Sequence, residues 1–306
     1  MKIFITGATG FLGKLLSKAL LEKGHTVVGV GSKECDLTKE ESLNGFNNEK
    51  FDQIFHLAAW VQAGDFNLFH QGDIWVQNQK MNTNILSWWK EKQPQAKFIS
   101  IGTSCSYSPE LILKEENYLL GIPHKSVYSY GMTKRMMYVG LQSMHDQYGM
   151  DYLCFVPSTL YGPGYHNKTK QLHFIFDLVR KIVGAKQGKG PAILWGDGYQ
   201  KRELIFVDDF IETMLKLVES QKNELVNIGS GKEHTIREYA ESICRSLDYD
   251  SNLIQYDTTK FVGPRSKYLN NEKLMEMIPD LGFTSLQEGI NKTLQWYQEE
   301  MVVKVN

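Results

Sequence analysis

The sequence is poor in the features that mark several large classes of protein. Its four cysteines, Cys35, Cys105, Cys154 and Cys244, are widely separated and form no CxxC pair, so neither a zinc site nor a disulfide framework is indicated and no metal is expected. Neither sign of charge is in excess: 34 Lys and Arg stand against 35 Asp and Glu, a formal net charge of -1. Nucleic acid, an anionic membrane and a cationic partner therefore feel no global electrostatic attraction to it, and any anion site must be local. No apolar run approaches a membrane span, and Met1 leads directly into a short apolar strand ending at Thr6 rather than into a basic leader. No membrane partner and a cytoplasmic location with reduced thiols are the expectation. Internal repeats, low-complexity tracts and flexible linkers are missing too. What is present is 306 residues, 42% hydrophobic and 23% charged, enough for a globular protein with a sizeable core.

Apolar strands alternate with helical patterns in the first half: KIFIT at 2–6, a helix near 11–23, TVVGV at 26–30, FDQIFHLAA near 51–59 and KFISIG at 97–102. That rhythm predicts an α/β fold built on a doubly wound parallel sheet. A long helical pattern from about Tyr130 to Tyr148 and a strand, DYLCFVP, ending at Pro157 close a first domain over 1–157. Beyond it the chain is richer in Gly, Tyr and charge, with the loops YGPGYHNKTKQ and GAKQGKGP, and 158–306 is read as a smaller, mainly substrate-binding region. Within it FVDDFIETMLKLVES and ELVNIGS read as helix then strand, so part of about 204–230 is expected to return to the main sheet.

Directly after the first strand stands Gly7-Ala8-Thr9-Gly10-Phe11-Leu12-Gly13, which opens the first helix. Glycines there allow a tight turn and close approach of backbone to a pyrophosphate, whose charge is met by the unpaired N–H groups of the helix N-terminus. The spacing alone also fits an ordinary glycine-rich turn. In its strand-turn-helix context it predicts a Rossmann-type dinucleotide-binding domain. Cofactor choice is read at the end of the second strand, where an acid would receive a ribose 2′-hydroxyl. Here stand Val30-Gly31-Ser32-Lys33, an uncharged pair and then a cation that suit a 2′-phosphate, with Glu34 next along. NADP(H) is the expected cofactor, unless Lys33 is only a solvated surface lysine.

The chemical signal is Tyr130-Gly131-Met132-Thr133-Lys134, in which Tyr and Lys lie four apart and share a helical face. An ammonium near a phenol stabilises phenolate and lowers its pKa, so Tyr130 is expected to exchange a proton with a carbonyl or alcohol oxygen. Such pairs also arise by chance. The company of this one adds weight, because Gly102-Thr103-Ser104-Cys105 places a hydroxyl after the strand at 97–102, at the carboxyl end of a parallel sheet.

GATGFLG, HLAA at 56–59, the hydroxyl-bearing turn and YGMTK occur in the order used by the extended short-chain dehydrogenases, which the chain resembles over nearly its whole length. More narrowly it is similar to the GDP-L-fucose synthases, epimerase/reductases of GDP-4-keto-6-deoxy-mannose. The residues that carry this likeness are GTSCSY at 102–107, VPSTLYGPG at 156–164, LWGDGYQKRELIFVDD at 194–209, NIGSGKEHTIRE at 227–238 and PRSKYL at 264–269. The resemblance implies Thr103, Tyr130 and Lys134 as the reductase triad, with threonine where serine is usual, and Cys105 and His173 as the acid/base pair for epimerisation at sugar carbons three and five. It implies cofactor contacts from the glycine turn, Ser32, Lys33, Asp36, Leu37, Leu57, Ala58, Ala59, Tyr130, Lys134, Pro157 and His173, and contacts to a GDP-sugar from Ser104, Lys181, Trp195, Arg202 and Arg265. It also implies a homodimer formed through the helices near 73–92 and 128–148, with Trp88 and Trp89 serving that contact or the core.

Plainer readings stand beside these. Cys105 can be a small buried hydrophobe and His173 a helix histidine satisfied by a neighbour; Trp195 can be core and Arg202 paired with Glu203 or Asp208. The chain also departs from the family pattern, with Thr159 for an asparagine and Phe206 for a histidine, changes that fit a different hexose or a heptose. The expected function is an NADPH-dependent 4-keto reductase with 3,5-epimerase activity on a GDP-4-keto-6-deoxy sugar. Its alternatives are a reductase of another GDP-keto-sugar, a nucleotide-sugar 4-epimerase that retains its cofactor, and a dinucleotide-sensing scaffold without chemistry. A 4,6-dehydratase is disfavoured, because Ser104-Cys105 stand where its elimination needs Asp-Glu.

Overall fold

The computed structural model describes residues 1–62, 66–165, 172–260 and 265–303. The 166–171 part of the YGPGYHNKTKQ loop and Pro264 of PRSKYL lie outside them. β1 (Lys2–Thr6), α1 (Phe11–Glu22), β2 (Thr26–Val30) and β3 (Gln53–His56) come first, followed by the short α2 (Phe66–Phe69), the long α3 (Gln71–Lys92) and β4 (Lys97–Ile101). Then come α4 (Tyr128–Tyr148), β5 (Tyr152–Pro157) and β6 (Thr159–Tyr161). β3 is shorter than the FDQIFHLAA run, because Leu57 and the two alanines after it leave the ladder to form a loop at its carboxyl end. α4 starts two residues before Tyr130 and stops at Gly149, whose left-handed φ of 69° lets its N–H cap the His145 carbonyl.

The remaining elements are α5 (Phe174–Lys186), β7 (Ile193–Trp195), β8 (Lys201–Phe206), α6 (Val207–Ser220), β9 (Glu224–Ile228), β10 (Glu233–Thr235), α7 (Ile236–Leu247), β11 (Gln255–Asp257), α8 (Glu272–Met277) and α9 (Leu286–Val303). Six strands form the main sheet in the order β2-β1-β3-β4-β5-β9, parallel at every pairing. The chain runs outward from β1 to β2 and then back across to β3, so the order reverses beside β1, the point at which such sheets open a crevice for a ligand. β9 pairs with β5 from Leu153↔Glu224 to Pro157↔Ile228, which brings the segment after α6 back to this sheet. A smaller sheet, β10-β8-β6, and the β11-β7 pair lie in the second half of the chain.

Alternation along the strands fills both faces of the main sheet. Phe4, Ile54, Phe98, Cys154 and Val156 join α3 and α4 in one core, while Ile3, Ile5, Phe55, Ile99, Leu153 and Phe155 join α1 and α6 in another. Trp88 and Trp89 belong to the first core, 5% and 0% exposed, with their indole N–H groups on Asn47 Oδ1 and the Ala96 carbonyl. A third core gathers α5, α7 and the small sheet around Ile175, Ile182, Leu204 and Tyr239. Among the described residues no helix is long and apolar enough to cross a membrane and no cluster of side chains could hold a metal ion.

Candidate active site

The glycine turn is shaped by contacts that side chains would obstruct. Gly7 has φ +69°, and a Cβ there would stand 2.8 Å from the Ala58 nitrogen, so the turn lies against the loop that leaves β3. A Cβ on Gly13 would meet the Gly7 carbonyl oxygen at 2.2 Å, so only glycine lets α1 close onto the turn. Gly10, the N-cap, supplies no side chain to the first turn of α1, which begins with Phe11 and Leu12. A backbone cradle at a helix N-terminus, kept shallow by three glycines, fits a dinucleotide pyrophosphate.

Ser32 and Lys33 are exposed immediately beyond β2. The Glu34 carboxylate turns back to accept the Gly31 N–H at 3.0 Å. Asp36 accepts the Thr38 hydroxyl at 2.7 Å and the Thr38 N–H at 3.1 Å, and the hydroxyl is the main reason its carboxyl is held below the usual range. Leu37 is buried, and its carbonyl accepts Asn84 Nδ2 at 2.9 Å. At the end of β3 the Leu57 N–H bonds the Thr6 carbonyl at 3.2 Å, placing Leu57, Ala58 and Ala59 beside the cradle.

Beneath this runs a polar chain that the sequence signalled only through the histidine of HLAA. Thr6 Oγ1 lies 2.9 Å from His56 Nδ1, His56 Nε2 lies 3.3 Å from Asn82 Oδ1, and Asn82 Nδ2 donates to the Thr133 carbonyl at 3.2 Å. Burial, with the nearby Lys134 ammonium second, pushes His56 down to about 3. A neutral imidazole therefore ties β1 and β3 through α3 to the helix that carries the tyrosine.

Thr103, Tyr130 and Lys134 meet at the carboxyl end of β4. The Thr103 hydroxyl lies near enough to the Tyr130 phenol to influence its pKa and accepts the Cys105 N–H at 3.2 Å. Ser104 starts the single helical turn after it, and Ser106 Oγ donates to the Gly131 carbonyl at 3.0 Å, fastening that turn to α4. Lys134 is buried, with Nζ donating to the Ile101 carbonyl at 2.7 Å, and desolvation lowers it to about 8 against an opposing pull from Cys154. The expected lowering of Tyr130 is reversed: burial pushes the phenol up, neighbouring Cys105 adds to this, and the Thr103 hydrogen bond opposes both. Burial is the largest cause, and Lys134, whose Nζ donates to the Ile101 carbonyl, is not among the groups that shift the phenol. Arg135, which the motif reading passed over although it follows Lys134 directly, anchors the same region. Its guanidinium donates to the carbonyls of Ser106 at 2.8 Å, Leu120 at 2.8 Å and Gly121 at 2.7 Å. Pro157, at the end of β5, pairs in register with Ile228.

Cys105 is half-buried, and Lys267 Nζ donates to its Sγ at 3.4 Å. Sequence reasoning quoted Lys267 only inside PRSKYL. His173 is the N-cap residue of α5, its ring edge-on to Tyr165 at 5.9 Å. Although it is exposed along one side, the protein crowded around the ring excludes water and lowers its pKa. Tyr165 also stacks on Phe176 at 3.9 Å and meets Phe11 edge-on at 5.4 Å, linking the glycine turn to α5.

Lys181 lies over the Trp195 ring at 5.6 Å and pairs with Asp177 at 2.9 Å. Trp195 is 56% exposed, which removes the core reading and leaves an aromatic face open beside a cation. Arg202 on β8 faces His234 across the ladder; burial lowers its pKa, and the Glu233 carboxylate opposes that lowering. Arg265 is exposed, and its carbonyl accepts the Lys201 N–H at 2.8 Å. Phe206 is buried in the third core, edge-on to Tyr161 at 5.6 Å.

The profile of the NAD dependent epimerase/dehydratase family matches residues 3–229. The chain is 28% identical to the probable GDP-L-fucose synthase of Drosophila melanogaster over 97% of this chain and 97% of that one. In fold it resembles a GDP-L-fucose synthetase from Naegleria fowleri bound to NADP, with TM-score 0.87 and 23% identity over 98% of this chain and 95% of that one. It also resembles a GDP-mannoheptose C4 reductase from Campylobacter jejuni with NADP bound, with TM-score 0.85 and 23% identity over 97% of this chain and 98% of that one.

Proposed function

The chain belongs to the NAD dependent epimerase/dehydratase family, and on that premise we propose that it is an NADPH-dependent 4-keto reductase of a GDP-4-keto-6-deoxy sugar that also epimerises carbons three and five. The observation that carries this reading is the meeting of Thr103, Tyr130 and buried Lys134 at the carboxyl end of β4, beside the glycine cradle. The names of relatives such as the Drosophila protein support GDP as the nucleotide and a 6-deoxy sugar as the substrate.

NADPH, when bound, supplies the hydride. Gly7, Gly10, Phe11, Leu12 and Gly13 would hold its pyrophosphate, Ser32 and Lys33 its 2′-phosphate, and Lys134 its nicotinamide ribose. Asp36, Leu37, Leu57, Ala58, Ala59 and Pro157 would wall its adenosine and nicotinamide ends. Tyr130 keeps its proton because burial pushes the phenol up, so it gives that proton to the ketone oxygen as carbon four is reduced. Thr103 aligns the phenol and the ketone oxygen from one side. Before reduction, Cys105 and His173 take and return protons at the carbons flanking the ketone, as base and acid. Lys181, Trp195, Arg202 and Arg265 would hold the nucleotide, with cations for the diphosphate and an aromatic face for base or sugar.

The test is turnover of a panel of GDP-4-keto sugars, hexoses and heptoses, with NADPH in deuterated water, followed by NMR. Reduction of GDP-4-keto-6-deoxy-mannose with deuterium at carbons three and five is the expected result. Reduction without deuterium removes the epimerase half, and reduction of a heptose alone moves the substrate assignment. The same reading includes a homodimer: Trp88 and Trp89 serve the core, while Trp75 and Val76 on α3 and Tyr128 on α4 are exposed for a second copy. A monomer by light scattering at assay concentration would contradict it.

A further inference from the structure

The side chains of Lys267 and Cys105 meet across 162 residues of sequence, Nζ donating to Sγ at 3.4 Å. Both partners are mounted firmly. On the cysteine side, the Cys105 N–H is held by Thr103 Oγ1 at 3.2 Å, and the carbonyl packs so closely on α4 that a Cβ at Gly131 would stand 2.8 Å away. Only rotation about the Cα–Cβ bond is left to place the sulfur. On the lysine side, the segment is clipped by two carboxylates from the small sheet. Glu233 on β10 accepts the Lys267 N–H and the Ser266 hydroxyl, each at 2.8 Å. Glu203 on β8, 3% exposed, accepts the Leu269 N–H at 2.9 Å and the Gly231 N–H at 2.8 Å. The ammonium is thus carried by one sheet to a turn that hangs from the other.

A cysteine acts as a base or nucleophile in its thiolate form, and an adjacent ammonium favours that form while a donated hydrogen bond fixes where the sulfur points. We propose that Lys267 is a positioning residue for Cys105, its donated hydrogen bond and its charge fixing where the sulfur stands when it acts as a base. This rests on the reading of Cys105 as the base for epimerisation. The thiol proton leaves to solvent as the thiolate forms beside the ammonium. In the epimerisation step the C–H bond next to the ketone breaks, its proton forms a new S–H bond, and the electron pair delocalises into the ketone as an enolate. Lys267 keeps its proton throughout and supplies only its charge and its hydrogen bond.

Two readouts test this on the intact protein. The first is the rate at which iodoacetamide alkylates Cys105 at neutral pH, followed by mass spectrometry of the Cys105 peptide. Losing a hydrogen bond from a charged group should slow it about ten-fold or more in both Lys267→Met and Lys267→Gln, and Lys267→Arg should restore most of the rate. The second is deuterium incorporated from solvent per NADPH consumed, a ratio that a general loss of folding or of substrate binding would not move. It should fall in the two neutral variants and recover in Lys267→Arg. Alkylation at the wild-type rate in both neutral variants overturns the proposal. If the wild-type protein incorporates no deuterium but the neutral variants still slow alkylation, the epimerase reading fails while the pairing of Lys267 with Cys105 stands.

Discussion

A methyl group on Gly131 would stand 2.8 Å from the carbonyl oxygen of Cys105. This close approach of α4 to the turn after β4 brings the residue before it, Tyr130, near Thr103. Gly131→Ala must push the two elements apart, since the obstructing atom is backbone. Overpacking of this kind costs about 1–3 kcal/mol of stability. A displacement near one ångström between acid and ketone lowers kcat on the order of 10²-fold. Thermal unfolding and steady-state kinetics check both, and a variant with wild-type kcat would show that the fit of these elements does not set the chemistry.

Tyr130→Phe removes the proton donor and little else, because the ring of a half-buried tyrosine is kept. Its kcat should fall by roughly 10²–10⁴-fold, the usual worth of a positioned proton transfer. NADPH affinity, read by fluorescence titration, should stay close to wild type. Near-native turnover would remove Tyr130 as the acid. Intact cofactor binding by an inactive variant would argue against a scaffold that only senses the dinucleotide.

Desolvation holds Lys134 down to about 8. Its ammonium is therefore present below that pH and lost above it. If that charge helps to bind the cofactor and poise the tyrosine, kcat/KM for NADPH should decline as pH rises through about 8, since this parameter reports ionisations of the free enzyme. A profile that stays flat well above that pH would mean that the charge on Lys134 is not used.

Much of this site was legible in the chain, and the illegible parts share a physical reason. The glycine turn could be read because each glycine answers a local demand, a positive φ at Gly7 and helix-on-strand contact at Gly13. The inner strands of the main sheet could be read because both faces are buried and most of their residues are apolar. The state of Tyr130 was not legible. Spacing says that Lys134 shares a helical face with it, but only the fold shows the ammonium drawn to the Ile101 carbonyl. The His56–Asn82 link and the Lys267–Cys105 contact join residues far apart in sequence, and no local pattern encodes a tertiary pairing. Trp195 could be singled out from the LWGDGY run, whereas its exposure beside Lys181 depends on how α5 meets β7.

Cofactor preference turns on a short exposed stretch. Ser32 and Lys33 are open to a 2′-phosphate, and the nearest acid, Glu34, is engaged with the Gly31 N–H at 3.0 Å. NADPH should therefore give a higher kcat/KM than NADH in competing-cofactor assays. Lys33→Ser should narrow the gap by up to about 5-fold, roughly the worth of one exposed charge contact. A higher kcat/KM with NADH would refute the phosphate-pocket reading.

This protein is expected to pass a hydride from NADPH to carbon four of a nucleotide-linked keto sugar and to release the oxidised cofactor. That transfer is tested most directly with NADPH carrying deuterium at the transferable position of the nicotinamide and GDP-4-keto-6-deoxy-mannose as substrate. NMR of the product should show the label at carbon four of the sugar, with one NADP⁺ released for each molecule formed. A product without label at carbon four, or turnover with the cofactor retained and none released, would contradict the account and leave a 4-epimerase that recycles its own cofactor.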